Sequence, residues 1–290
     1  MLIYSPEQKI VHPLYTKNNI EVYIKRDDMI HPFVSGNKWR KLKYIIQKAQ
    51  KEKKRTLVTF GGAWSNHLLA TACIGAQYQF RTMAIVRGDE IKNPVLDMCK
   101  LFGMELHFVS RQDYKDKHKI FTELPNNEDY FFIDEGGASL EATLGCQEIV
   151  DELKENYDHM ICAAGTGTTA AGIAQGIKNN NLTTQLHVIP VLKKGDFILN
   201  EIQAYNIHTQ QITLHLDYHF GGYAKVKPEL ISFIKEYVKD TGIMIEPTYT
   251  GKTMFALHDM IEKGIFKSGS KILYIHTGGL TGLLGQLDKF

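Results

Sequence analysis

From about residue 56 onward, short runs of β-branched and aromatic residues alternate with glycine-bearing loops and longer stretches of helical periodicity. TLVTF (56–60) runs into GGAWSNH and then LLATACIGAQ, which predicts a strand, a loop and a helix. RTMAIVRG is followed by the helical NPVLDMCKLFG, ELHFVS by a polar segment, and YFFID by Glu135-Gly136-Gly137 and an amphipathic stretch from Ser139 to Asn156. HMICAA leads into GTGTT and a helix. QLHVIPVL and ITLHLDYHF read as strands, a helix starts near Pro228, and the loop EPTYTGK precedes a last helix and the strand of KILYIHTGG. Such alternation, with glycine at the strand exits, predicts an α/β architecture of mainly parallel sheets with helices on both faces. Ligands of these sheets bind beyond the carboxyl ends of the strands.

No internal repeat or low-complexity linker divides the chain, so a boundary has to come from topology. Residues 52–147 hold three or four βα units, enough for a small α/β domain. Residues 1–51 together with 148–290 then make a larger one.

The composition is that of a soluble globular protein: 290 residues, 43% of them hydrophobic, with 34 Lys and Arg against 32 Asp and Glu. This near balance excludes a dedicated nucleic-acid or membrane-surface binder, which needs a basic field or stripe. Lys51, Lys53, Lys54 and Arg55 read as a solvated helix end. Cys73, Cys99, Cys146 and Cys162 stand far apart, so neither a metal-binding Cys pair nor a disulfide framework is expected, and no metal site. Free thiols, no apolar run of about 18 residues and no basic-then-apolar N-terminus together predict a cytoplasmic protein.

Five segments carry candidate chemistry. In SGNKWRKLKY (35–44), Lys38, Arg40, Lys41 and Lys43 crowd the start of a helix; a solvated basic face is the ordinary reading of such a run, but the helix dipole disfavours cations there, and four of them point to an anionic partner. A lysine among basic neighbours also has a lowered amine pKa, which suits proton transfer or imine chemistry. In GGAWSNH (61–67), Ser65, Asn66 and the free N–H groups of a helix start can hold a carboxylate or phenolate, although an ordinary helix cap explains them equally well. Gly165-Thr166-Gly167-Thr168-Thr169 at a helix start makes a phosphate cradle. GTGTTA also satisfies a loose dinucleotide fingerprint, the mark of an NAD-dependent oxidoreductase, but the next strand ends in Lys193 and Lys194 where that fingerprint wants an acid. EPTYTGK (246–252) and HTGGLTG (276–282) place Tyr, Thr and Gly at two further strand exits, suited to clasping a planar ring.

Taken in order, SGNKWRKLKY, GGAWSNH, GTGTTAAG, YTGK and IHTGG resemble the pyridoxal phosphate (PLP)-dependent family that holds 1-aminocyclopropane-1-carboxylate (ACC) deaminase and D-cysteine desulfhydrase. The resemblance spans nearly the whole chain and is more distantly similar to the tryptophan synthase β-subunit group. It implies a two-domain fold type II PLP enzyme, usually a homodimer, with the cofactor between a large and a small domain and a small amino acid as substrate.

Carried over by position, the resemblance makes Lys38 the lysine that binds the cofactor and moves the substrate α-proton. Lys41 then helps hold the phosphate, with Gly165, Thr166, Gly167, Thr168 and Thr169 as the phosphate loop. Asn66 faces the pyridine hydroxyl and Ser65 the substrate carboxylate, and His67 stands where the family often has an amide side chain. Tyr249 lies beside the ring as nucleophile or acid–base group, and Tyr223 in GGYAKVKPEL is a second active-site tyrosine. ACC deaminases typically carry Glu and Leu where this chain has Thr250 and Thr277. A carboxylate at the pyridine nitrogen makes a stronger electron sink than a hydroxyl. The two threonines therefore favour α,β-elimination from D-cysteine or a related D-amino acid over opening of the ACC ring. A non-catalytic ligand-binding protein of this fold would be expected to lack Lys38 or Tyr249, and both are present.

Overall fold

The computed structural model describes residues 3–125 and 127–290. Ten strands and ten helices follow in chain order: β1 (Glu7–Ile10), α1 (Pro13–Lys17), β2 (Glu21–Lys25), α2 (Asn37–Lys51), β3 (Thr56–Gly62), α3 (Asn66–Gln77), β4 (Arg81–Arg87), α4 (Pro94–Leu101), β5 (Met104–Val109), α5 (Lys117–Glu123), β6 (Tyr130–Ile133), α6 (Leu140–Asp151), β7 (His159–Ala164), α7 (Thr168–Asn179), β8 (Gln185–Pro190), α8 (Phe197–Ala204), β9 (Ile212–Leu214), α9 (Pro228–Thr241), α10 (Thr250–Glu262) and β10 (Lys271–Ile275). They form a six-stranded sheet, β1-β2-β10-β7-β8-β9, and a four-stranded sheet, β5-β4-β3-β6. Every pairing is parallel except that of the edge strand β1 with β2.

Parallel strands are buried on both faces, and each sheet here has two cores. On the larger sheet, Leu230 and Ile234 of α9 and Met254, Leu257 and Ile261 of α10 pack over Val22, Ile24 and Ile272. Ile173 and Ile177 of α7 and Ile198 and Ile202 of α8 cover Met160, Val188 and Leu273 on the opposite face. On the smaller sheet, α3 and α4 lie over Ala84 and Val86, while Val58, Phe60 and Ile85 face Tyr114, Ile120 and Phe121. The four cysteines are free and buried. Among the described residues no helix is long and apolar enough to cross a membrane.

Three features depart from the sequence reading. Helix α2 falls within residues 1–51, yet its stripe Leu42, Ile45, Ile46 and Ala49 is buried against Leu57 and Ile133 of the smaller sheet. An apolar stripe at this spacing needs a sheet face, and the faces of the larger sheet are already covered. ITLHLDYHF is a strand only over Ile212–Leu214 and then turns through Leu216–His219. The run Thr250–Lys252 is helical rather than loop, because the buried Glu246 carboxylate accepts the N–H groups of Thr248, Tyr249 and Thr250 at 2.7, 2.7 and 2.8 Å and starts α10 there. The short elements β1, β2, α1, α5 and α8 carried too little periodicity to be read in advance.

On the larger sheet, the imidazoles of His159, His187 and His215 join in a file, with ring nitrogens 3.1 and 2.9 Å apart. Burial and the two flanking rings push His187 down to about 3. Its ordinary value in an unfolded chain is about 6.5. Between these values the unfolded chain binds a proton that the native state refuses, so this contribution is complete above about pH 6.5 and is lost as pH falls toward 3. His187→Gln should therefore lower thermal stability at pH 7 by about 1–2 kcal/mol, the cost of its lost hydrogen bonds. The gap from wild type should narrow between pH 6 and pH 4 in thermal melts; a constant gap would contradict this account.

Candidate active site

Three neighbouring parallel strands of the larger sheet, β2, β10 and β7, end on the same side. The segments that leave them therefore meet. After β2 the chain enters α2 through Gly36, which has φ +60°; a Cβ there would lie 1.9 Å from the carbonyl oxygen of Thr277 in the segment leaving β10. Asn37 N–H donates to that same oxygen at 3.2 Å. Only glycine allows this approach, and it brings SGNK and HTGG into direct contact. The segment leaving β7 is Gly165–Gly167, and β3 of the smaller sheet delivers Ser65, Asn66 and His67 from across the cleft.

The result is a cleft of two connected compartments. A small inner one, about 60 Å³, is lined by Asn37, Lys41, Gly167, Thr169 and Thr277 among others. An outer one, about 720 Å³, is lined by Ser65, His67, Arg87, Arg111 and Tyr223. Lys38, Asn66, Gly136, Gly165, Thr166 and Tyr249 border both.

The four cations at the start of α2 do not act together. Arg40 is fully buried and forks onto Asp27 at 2.8 and 3.0 Å while reaching Glu152 at 2.6 and 2.8 Å. Lys43 pairs with Glu148 at 2.5 Å. Lys38 and Lys41 alone turn into the cleft, since helical spacing sends the other two to the opposite side. Neither makes an ion pair among the described residues: Lys38 Nζ donates to Asn37 Oδ1 at 3.2 Å and Lys41 Nζ to the Gly136 carbonyl at 3.1 Å. Burial, and then the charge of Lys41, pulls the Lys38 amine down to about 7, and burial lowers Lys41 as well. At neutral pH a large share of Lys38 is a free amine beside a positive charge.

Helix α7 begins at Gly167, left-handed at φ +79°, and no side chain caps its first turn. Its leading N–H groups therefore remain available to an anion. Thr169 lines the inner compartment and its hydroxyl accepts from Asn37 Nδ2 at 3.0 Å. Thr168 is turned away, with its hydroxyl 3.3 Å from those of Thr166 and Tyr205.

At the opposite wall Ser65 caps α3, accepting from His67 N–H at 3.2 Å and keeping its hydroxyl proton to donate. The Asn66 carbonyl oxygen accepts from Thr281 at 2.7 Å, which leaves its Nδ2 as a free donor. Thr59 donates to the Ile133 carbonyl at 3.1 Å and meets His67 Nε2 at 2.7 Å, so Nε2 carries the proton. His67 Nδ1 is then a buried acceptor without a partner among the described residues. Burial and the two lysines hold this ring well below its ordinary pKa, so it stays neutral.

Tyr249 leads into α10, and its ring packs edge-on to Tyr223 with centroids 5.9 Å apart. Burial raises Tyr249 well above the usual phenol value, so it is a proton donor at neutral pH and not a phenolate nucleophile. Thr277 lines the inner compartment, whereas the Thr250 hydroxyl is spent on Glu246, lying 2.8 Å from its N–H and 3.3 Å from its carboxylate. The cleft thus gathers Lys38, Lys41, Ser65, Asn66, His67, Gly165, Thr166, Gly167, Thr169, Tyr223, Tyr249 and Thr277, but not Thr168 or Thr250. Asn37, Gly136 and the arginines Arg87 and Arg111 escaped the sequence reading. Asn37 sits inside a recognised motif; the others come from the smaller sheet's strand exits and had no local signature.

The model of the family described as pyridoxal-phosphate dependent enzyme matches residues 10–278. A protein of Thermotoga maritima named putative 1-aminocyclopropane-1-carboxylate deaminase is 33% identical, over 94% of this chain and 93% of its own length. The mitochondrial bifunctional D-cysteine desulfhydrase/1-aminocyclopropane-1-carboxylate deaminase of Arabidopsis thaliana is 29% identical, over 94% of this chain and 75% of its own length. A crystal structure described as an ACC deaminase homologue superposes on the whole chain and 94% of its own, with a TM-score of 0.87 and 30% identity.

Replacing Lys41 by Met should raise the pKa of Lys38 above about 7 by removing the neighbouring charge, and should weaken the binding of inorganic phosphate to the protein. The loss is expected to be about tenfold, the scale of one charge-assisted hydrogen bond. Amine titration by NMR and phosphate calorimetry check the two effects separately; an unmoved Lys38 would show that the lysines do not sense each other.

Proposed function

The chain belongs to the pyridoxal-phosphate dependent enzyme family, and from that premise we propose that it is a lyase eliminating the β-substituent of D-cysteine or a related small D-amino acid, to give pyruvate, ammonia and sulfide. The observation that carries the reading is the placement of Lys38: a partly neutral amine set between the uncapped start of α7 and the start of α3, with protonated tyrosines beside it.

The residues fit the cofactor by their chemistry. The free N–H groups of α7, the Thr169 hydroxyl and Lys41 would hold its phosphate, the Asn66 amide its ring hydroxyl, and Lys38 its aldehyde carbon. When bound, pyridoxal phosphate supplies an electron sink for the pair left on the substrate Cα. The protein's own groups do the rest. Ser65, Asn66 and the start of α3 hold the substrate carboxylate. The neutral Lys38 amine accepts the α-proton, and Tyr249, kept protonated by burial, donates to the departing sulfur. Water then hydrolyses the released enamine, so that D-cysteine and water yield pyruvate, ammonia and hydrogen sulfide.

Elimination is favoured over ring opening by what faces the inner compartment. No carboxylate lines it among the described residues, while Thr277 does. Glu246, the nearby buried acid, has its carboxylate committed to three N–H groups of the α10 start. A compartment that presents a hydroxyl and no carboxylate leaves a weaker sink, sufficient to expel a thiolate from a substrate whose Cα carries a hydrogen and less suited to a cyclopropane amino acid whose Cα has none. Opening of ACC to 2-oxobutanoate and ammonia is the second reading, supported by the names of the relatives.

Purified protein should show a visible absorbance band that borohydride makes permanent on Lys38. It should release pyruvate from D-cysteine at least tenfold faster than 2-oxobutanoate from ACC. Lys38→Ala should abolish both activities, and Tyr249→Phe should lower kcat for D-cysteine by about 10²-fold, the usual worth of a general acid. A preference for ACC would overturn the argument from Thr277, and absence of the band would remove Lys38 from its role.

A further inference from the structure

Lys252 closes the YTGK run, and the reaction as described gives it no task. It is fully buried and pairs with no carboxylate among the described residues. Its three ammonium hydrogens meet three backbone carbonyls instead: His219 at 2.8 Å, Gly222 at 2.8 Å and Val191 at 3.2 Å. A buried ammonium persists only where such acceptors replace its water.

Those carbonyls are not scattered. Val191 follows β8, while His219 and Gly222 belong to the irregular segment that ends in Tyr223. In that segment Phe220 and Ala224 both lie in the left-handed region, at φ +52° and +54°, a conformation that side chains resist. Few other bonds hold it: Gly222 N–H to the His219 carbonyl, Lys225 N–H to the Gly222 carbonyl, and Gly221 N–H to the His219 ring. Lys252 also lies three residues beyond Tyr249, in the first turn of the same helix. One side chain therefore ties the helix that carries Tyr249 to the carbonyl immediately preceding Tyr223, and the two rings meet edge-on at 72°.

We propose that Lys252 is a positioning residue: by gripping the carbonyls of His219, Gly222 and Val191 it holds Tyr223 against Tyr249 and so sets the geometry of the site's acid pair. The proposal rests on the reading that both tyrosines serve the elimination, and it assigns Lys252 no contact with substrate or cofactor.

The test compares holoenzymes carrying Lys252→Met, which keeps an unbranched stem but no donor, and Lys252→Gln, which keeps two donors on a stem one atom shorter than lysine's. Hydrogen exchange at residues 219–224 should be at least tenfold faster in Lys252→Met and intermediate in Lys252→Gln. The kcat for pyruvate release from D-cysteine should follow the same order, falling at least tenfold in Lys252→Met while KM and the cofactor absorbance hold within about twofold. If Lys252 acts through Tyr223, adding Tyr223→Phe to Lys252→Met should cost less than twofold more, although Tyr223→Phe alone costs tenfold. Additive losses, or unchanged exchange at 219–224, would overturn the proposal. Tyr223→Phe with no effect on turnover would instead overturn the reading beneath it; the exchange measurement, which needs no substrate, tells the two failures apart.

Discussion

Much of the site's geometry depends on a buried ionic knot. Arg40 and Asp27 have no exposure, and the Arg40 fork joins the segment after β2 to α2 and, through Glu152, to the end of α6. Lys25 adds a second cation at 3.1 Å from Glu152. Burying such charges stabilises little by itself, but removing Asp27 or Arg40 would leave the other as a buried charge short of its partner, so the arrangement is specific. Its consequence is rotational. With Arg40 fixed on one side of α2, helical periodicity leaves Lys38 and Lys41 facing the cleft, where no carboxylate neutralises them.

From this follow the electrostatics. Two amines share a water-poor compartment: burial lowers both, and the charge of Lys41 lowers Lys38 further. The uncapped start of α7 and the free Nδ2 of Asn66 add donors, and the unpaired His67 Nδ1 adds a lone acceptor. Donors that converge and outnumber the acceptors are the complement of an anionic ligand, and the layout suits one with a phosphate at one end and a carbonyl carbon at the other. The tyrosines contribute the opposite property: burial keeps Tyr249 protonated beside an amine whose proton burial has loosened.

The limits of sequence reading are visible in particular residues. Lys38 and Lys41 were legible because cations at a helix start run against the dipole and need a reason. Arg40 and Lys43 looked the same locally; they serve Asp27, Glu152 and Glu148, which are distant in sequence. Thr250 and Thr277 were read as a pair, yet only Thr277 reaches the inner compartment, because Glu246 four residues upstream claims the Thr250 hydroxyl in starting α10. The Thr168 hydroxyl turns toward Thr166 and Tyr205, so what this residue offers the loop is its backbone N–H at the start of α7. Lys252 belonged to a recognised motif, but its acceptors lie 30 and more residues away.

What the sequence determined by itself is what local rules govern: the alternation of strands and helices, the glycines at the strand exits, and the presence of an uncapped helix start and of lysines at another. Backbone sterics and periodicity act over a few residues, so a few residues reveal them. Which side chains face the cleft, which are neutralised and which stay unpaired was decided only by tertiary structure. Those outcomes depend on burial and on charges brought within a few ångströms by strand order, and β2, β10 and β7 are neighbours in the sheet while standing far apart in the chain.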